Sequence, residues 1–169
     1  MPKFDNLIFL LGASRSGTTW IGKIFDSNTN VLYRHEPDVK LGGGNIPRIC
    51  NEPEKYKEAA ILYIEELCRV NDPRTISKPP IFNKKYHNFF QSELRKIWIY
   101  SLRYGCGVLP QLNSWSIPDF AGDAGYKTVI KSVSALGRAG LFSIAAPDSR
   151  IIQILRHPCG HVGSVMRGQ

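Results

Sequence analysis

Apolar positions along the chain follow two rhythms. Leu7–Leu11 is an unbroken apolar run, and Val31–Tyr33, Tyr126–Lys131 and Arg150–Leu155 are further stretches of strand character. A short continuous apolar run reads as a buried strand, and recurrence near every 3.6 residues reads as a helix. The helical rhythm occurs at Trp20, Ile21, Ile24 and Phe25, and again at Tyr56, Ala60, Tyr63, Ile64 and Leu67. A longer helix is predicted from about Lys85 to Tyr104, with Phe89, Phe90, Leu94, Ile97, Trp98 and Leu102 inward. Two more are predicted over Ser134–Ala146 and Gly160–Gly168. Between these elements lie a polar break at Asp26–Asn30, a glycine-rich loop at Gly42–Gly44 and an irregular stretch from Val108 to Gly125. Alternating strands and helices predict an α/β fold: a three-layer parallel sheet with helices on both faces.

The first strand and the first helix are joined by small residues, Gly12-Ala13-Ser14-Arg15-Ser16-Gly17. Such a turn aims backbone N–H groups and the positive end of the helix dipole at one spot, which makes an anion site. Arg15 adds a fixed charge, and Ser16, Thr18 and Thr19 add hydroxyl donors. The spacing of Gly12 and Gly17 matches the phosphate-binding pattern G-x-x-x-x-G-K-[ST], yet Thr18 stands where the lysine belongs. Ligands of parallel sheets bind at the carboxyl ends of strands. Three predicted strands end in Gly12–Thr19, Lys131 and Arg156, so a single polyanionic ligand is expected there.

Composition adjusts this picture modestly. At 169 residues the chain is expected to be a single domain or part of one. Lys and Arg outnumber Asp and Glu by 22 to 14, giving a net charge of +8 and attraction to anions. The basic residues are scattered, which favours a local anion site over a nucleic-acid surface. Four cysteines form no C-x-x-C pair and no zinc-ligand spacing with histidine, so free buried thiols are expected. No stretch reaches the roughly 18 apolar residues of a membrane span, and no secretory leader is recognisable. These absences make the cytoplasm the expected compartment. The Golgi lumen replaces it if the chain is a fragment of an anchored enzyme.

Two separated motifs resemble the sulfotransferases that use 3′-phosphoadenosine 5′-phosphosulfate (PAPS). Gly12–Trp20, with Arg15-Ser16-Gly17-Thr18-Thr19, is similar to the family's 5′-phosphosulfate loop. Ile154-Leu155-Arg156-His157-Pro158, with Ser164 eight residues after Arg156, is similar to its 3′-phosphate motif. His157 and Cys159 depart from the usual residues there. The resemblance implies a P-loop NTPase-like sulfotransferase core. It also implies a single domain over residues 1–169 that lacks the family's usual C-terminal part. Residues 39–125 would be a helical and irregular insertion that shapes the acceptor site.

What the resemblance implies for chemistry is an in-line sulfuryl transfer from PAPS, in which the protein positions groups and stabilises charge. Arg15 and the N–H groups of Ser16, Gly17, Thr18, Thr19 and Trp20 would hold the phosphosulfate, with no metal ion required. Arg156 and Ser164 would hold the 3′-phosphate. Glu36, in a segment similar to the Y-E-P stretch of carbohydrate and tyrosyl-protein sulfotransferases, is the candidate base, with His35 its rival. Lys131 would neutralise the bridging or sulfonate oxygens, although a solvated lysine fits a strand end equally well. The expected partner is a small-molecule or glycan hydroxyl, and a homodimer is compatible with the pattern. Two other readings remain open at the level of sequence: a P-loop kinase or NTPase-like protein, and a non-catalytic nucleotide-binding fragment.

Overall fold

The computed structural model describes residues 4–107, 111–112, 115–122 and 125–168. Its elements are β1 (Leu7–Gly12), α1 (Thr18–Ser27), β2 (Val31–His35), α2 (Pro37–Leu41), α3 (Lys57–Arg69), α4 (Phe89–Gly105), β3 (Lys127–Ser132), α5 (Ala139–Ala145), β4 (Arg150–Ile154) and α6 (Pro158–Met166). The strands form one parallel sheet in the order β2-β3-β1-β4. This is the expected α/β architecture of a P-loop-like core. β1 lies inside the sheet and is buried along its whole length.

The alternation of side chains along β1 builds the layers. Ile8 and Leu10 pack with Val31, Tyr33 and Val129 under Ile21 and Phe25 of α1. Leu7, Phe9 and Leu11 face the other way, into a cluster with Ala60, Ile64 and Leu67 of α3 and Leu141 and Phe142 of α5. The Phe9 and Phe142 rings stack with centroids 4.7 Å apart. Each fully buried Leu, Ile or Phe contributes about 1.5–3 kcal/mol relative to exposure.

Between β2 and β3 the chain leaves the sheet to form α2, α3 and α4. Here the sequence misleads in two places. A helix begins at Pro37, where only the end of a strand was expected. The α4 helix starts at Phe89, not Lys85, because Asn88 and Gln91 form a reciprocal capping box. Its inward face matches only in part: Leu102 is buried and Trp98 packs against the core as expected. Ser92, Arg95, Ile99 and Leu102 are buried, whereas Phe89, Phe90 and Ile97 are 84%, 73% and 66% exposed. Polar partners explain the difference. Ser92 donates to Asn83 Oδ1 at 2.9 Å, and Arg95 lies 3.5 Å from Asp119.

Buried ion pairs hold this region to the sheet. Arg34 of β2 is 1% exposed and makes a bidentate pair with Asp119, which also faces Arg95. Asp26 of α1 accepts from Lys23 at 2.7 Å, Ser77 at 2.5 Å and Lys84 at 3.1 Å. The cysteines are free, as expected, but Cys159 is exposed and the other three are half-buried. Among the described residues no helix is long and apolar enough to cross a membrane.

Candidate active site

The loop after β1 folds back tightly. Ser16 N–H donates to the Ala13 carbonyl at 3.1 Å, so it is already used. The first N–H groups of a helix have no acceptor within it, which leaves those of Gly17, Thr18, Thr19 and Trp20 for a ligand. Gly17 is the residue before α1 and has φ 96°. Close packing explains Gly12. A Cβ there would fall 2.7 Å from Thr18 Cγ2, 2.8 Å from Ser16 Oγ and 2.9 Å from the Ile154 carbonyl. Thr18 is buried, Thr19 is exposed and Trp20 is 71% exposed beside the loop. Ser16 Oγ is buried without a hydrogen-bond partner among the described residues.

Arg15 is exposed and holds φ 64°, a conformation non-glycine residues seldom adopt. Its guanidinium rests against Gly168, just past α6. A Cβ at Gly168 would lie 1.8 Å from Arg15 Nη2, so any larger residue there would displace the guanidinium. Arg156 follows β4 and reaches back to the same loop, where its Nη1 donates to the Arg15 carbonyl at 2.8 Å. Residues 141 positions apart in sequence are thus joined directly. Ser164 is half-buried on α6, and no hydrogen bond joins it to Arg156 or to the loop among the described residues.

Next to β1 in the sheet lies β3, and beyond it β2; the two end level with each other, with His35 opposite Lys131. Strand spacing puts Lys131 about 5 Å and His35 about 10 Å from β1 across the same edge. Lys131 is buried and forms an ion pair with Glu36, so it is not a solvated strand-end lysine. Glu36 has φ 51° and donates its N–H to the Lys131 carbonyl at 2.7 Å. Burial pushes the Glu36 carboxyl up, but the hydrogen bond and charge of Lys131 outweigh it and hold the group below its ordinary value. His35 shares a hydrogen bond of 3.2 Å with the Tyr33 hydroxyl through Nδ1. Burial first, and the Lys131 charge second, lower His35 to about 4, so its ring is neutral at pH 7. Among the described residues only Arg15, Glu36 and Phe120 combine a side chain with positive φ. Two of these three sit at the sheet edge where the site was expected.

A cavity of about 740 Å³ opens beside this pair, lined by His35, Glu36, Val39, Asp72, Arg103 and neighbouring residues. Arg74, Lys78 and Arg103, which no sequence motif marks, also line it. They come from segments with no common spacing.

A family model described as the sulfotransferase family matches residues 7–168. That span runs from the first residue of β1 to the end of the α6 segment, and includes both motifs. The chain belongs to the sulfotransferase family. No curated protein and no solved structure matches it. A sulfotransferase moves a sulfuryl group, and the loop, Arg156 and the Glu36–Lys131 pair occupy the carboxyl edge of its sheet, where ligands of such sheets bind. In this sulfotransferase the bond between Arg156 and the Arg15 carbonyl ties the two motifs into one edge.

Proposed function

We propose that the chain transfers the sulfuryl group of PAPS to a hydroxyl on a carbohydrate, lipid or other metabolite. The observation that carries this reading is the hydrogen bond from Arg156 to the Arg15 carbonyl. It sets a guanidinium beside the anion-binding loop, as a donor with a 5′-phosphosulfate and a separate 3′-phosphate requires. The residues fit such a donor. Among the described residues Ser16 Oγ is a buried hydroxyl without a partner, and the space over Gly17 is open, with nothing within 4 Å of a Cβ there.

Each residue then has a role. The N–H groups of Gly17–Trp20, with Ser16, Thr18 and Thr19, hold the phosphosulfate. Arg15 turns from Gly168 to the phosphate oxygen that keeps the electron pair of the breaking S–O bond. Arg156 and Ser164 hold the 3′-phosphate. Glu36 accepts the proton of the acceptor hydroxyl as its oxygen forms the new S–O bond. Its lowered pKa keeps it ionised at neutral pH, and a loose transition state asks little base strength of it. Lys131 leaves Glu36 for the sulfonate or bridging oxygens, where charge shifts during transfer. The insertion over residues 39–125 shapes the acceptor site, a reading supported by the cavity walls that it supplies.

The test is transfer of labelled sulfuryl from PAPS to a panel of hydroxyl acceptors. Labelled product is expected, and Glu36→Gln should cut turnover about 100-fold or more while nucleotide binding stays near the wild-type value. Nucleotide binding without product from any acceptor would favour the non-catalytic reading instead.

A further inference from the structure

The charges around the cavity beside Glu36 do not cancel. Its walls carry four cations, Lys40, Arg74, Lys78 and Arg103, against two acids, Glu36 and Asp72. Both acids are already matched. Glu36 is paired with Lys131, which lies behind it in the sheet. Asp72 accepts the N–H groups of Arg74 at 2.8 Å and Thr75 at 3.2 Å, and its other oxygen is 3.4 Å from Lys40 Nζ. Arg74, Lys78 and Arg103 are left with no acidic group in contact among the described residues.

Arg103 differs from an ordinary surface arginine. It is half-buried on α4, and its Nε donates to the Pro73 carbonyl at 2.9 Å, which fixes the guanidinium at the cavity wall. Burial weighs against its charged form, and the nearby Tyr100 and Asp72 offset this only in part. A desolvated cation without a carboxylate in contact is stabilised by an anion that arrives with a ligand. Lys78 and Arg103 both act electrostatically on His35, and Lys78 acts also on Glu36, so the unmatched charges lie within reach of the reacting edge.

Resting on the sulfuryl-transfer reading, we propose that the acceptor is itself an anion. It is a small hydroxyl compound bearing a carboxylate, sulfate or phosphate. Arg103 holds that group by a charge-assisted contact, and Arg74 and Lys78 add screened attraction at the mouth. The hydroxyl then points toward Glu36. A cavity of about 740 Å³ suits a ligand of one or two sugar rings. The arrangement also solves a problem of charge. The donor end of the site attracts anions by its loop and arginines, and an acidic acceptor must be held apart from it by its own cations.

The experiment compares matched neutral and acidic hydroxyl compounds: galactose with galacturonate, benzyl alcohol with 4-(hydroxymethyl)benzoate, and glycerol with glycerol 3-phosphate. Protein saturated with adenosine 3′,5′-bisphosphate is titrated with each and binding is read by NMR. At least one acidic member should bind tenfold or more tightly than its neutral partner. Arg103→Gln should reduce that ratio to threefold or less, and the exposed Lys78→Gln should reduce it about twofold. Adenosine bisphosphate affinity, measured on each variant, verifies that the fold is intact. Equal binding within all three pairs, or a preference that survives Arg103→Gln and Lys78→Gln, overturns the proposal. Transfer from PAPS to the same compounds separates the two layers of the argument. Acid preference without transfer leaves the anion subsite standing and removes the catalytic reading. Transfer without acid preference does the reverse.

Discussion

The carboxyl edge of β1 and β4 and the insertion between β2 and β3 are built by different means. At the edge, small residues, backbone N–H groups and two arginines make an anion site on regular strands. Its geometry is local: Gly12 must be small, Gly17 caps the start of α1, and Arg156 is one hydrogen bond from Arg15. The insertion instead relies on long charged side chains that meet across distant segments. Arg34, Arg95 and Asp119 come from β2, α4 and the stretch before β3. Lys23, Ser77 and Lys84 converge on Asp26. A donor site built from backbone can be specified by a short motif. An acceptor site built from side chains can vary without disturbing it.

That separation can be broken most strongly at Asp119. Asp119→Ala leaves two buried guanidiniums without their carboxylate. Removing one partner of a buried pair costs about 3–5 kcal/mol, and urea denaturation should read a loss of that size. Affinity for adenosine 3′,5′-bisphosphate in the folded protein should change less than twofold. A tenfold fall would mean that the insertion and the donor edge are one cooperative site.

A smaller effect sharpens the boundary at His35, where the two regions meet. Its folded pKa of about 4 lies below the ordinary 6.5. Between these values the unfolded chain binds more protons, so His35 makes stability fall as pH drops from about 6.5 to 4 and level off below. His87, also lowered by burial, adds in the same direction. Glu36, lowered below its ordinary value, adds its loss at the acid end. His35→Gln should flatten the slope by on the order of 1–3 kcal/mol across that window. Unfolding measured at pH 7 and pH 4.5 checks it, and an unchanged slope would show that the ring is not held neutral by its surroundings.

The same contrast explains what could be read from the sequence. β1, its loop, α1 and the Arg156 turn are each specified by contiguous residues, so apolar runs and small-residue spacing reveal them. The Ser16–Ala13 bond, which uses an N–H expected for the ligand, is a detail that only the folded turn decides. In α4 the apolar count located Leu102 and Trp98 inside but misplaced Phe89, Phe90 and Ile97, because Arg95 is buried through Asp119 and lets those three face out. The Asn88–Gln91 capping box and Pro37 at the start of α2 were readable signals. The pairing of Lys131 with Glu36 was not, since 95 residues separate them. Nor were Arg74, Lys78 and Arg103, which become neighbours only when the insertion folds around the cavity.

The central claim is that one sheet edge holds a nucleotide by two anionic ends. Calorimetry without magnesium, comparing adenosine 3′,5′-bisphosphate with AMP on wild type and Arg156→Ala, tests it most directly. The wild type should prefer the bisphosphate by roughly 2–3 kcal/mol, about 30- to 150-fold, and Arg156→Ala should bring the two ligands close to parity. Equal affinity for AMP in the wild type, or a preference that persists in Arg156→Ala, would contradict the account.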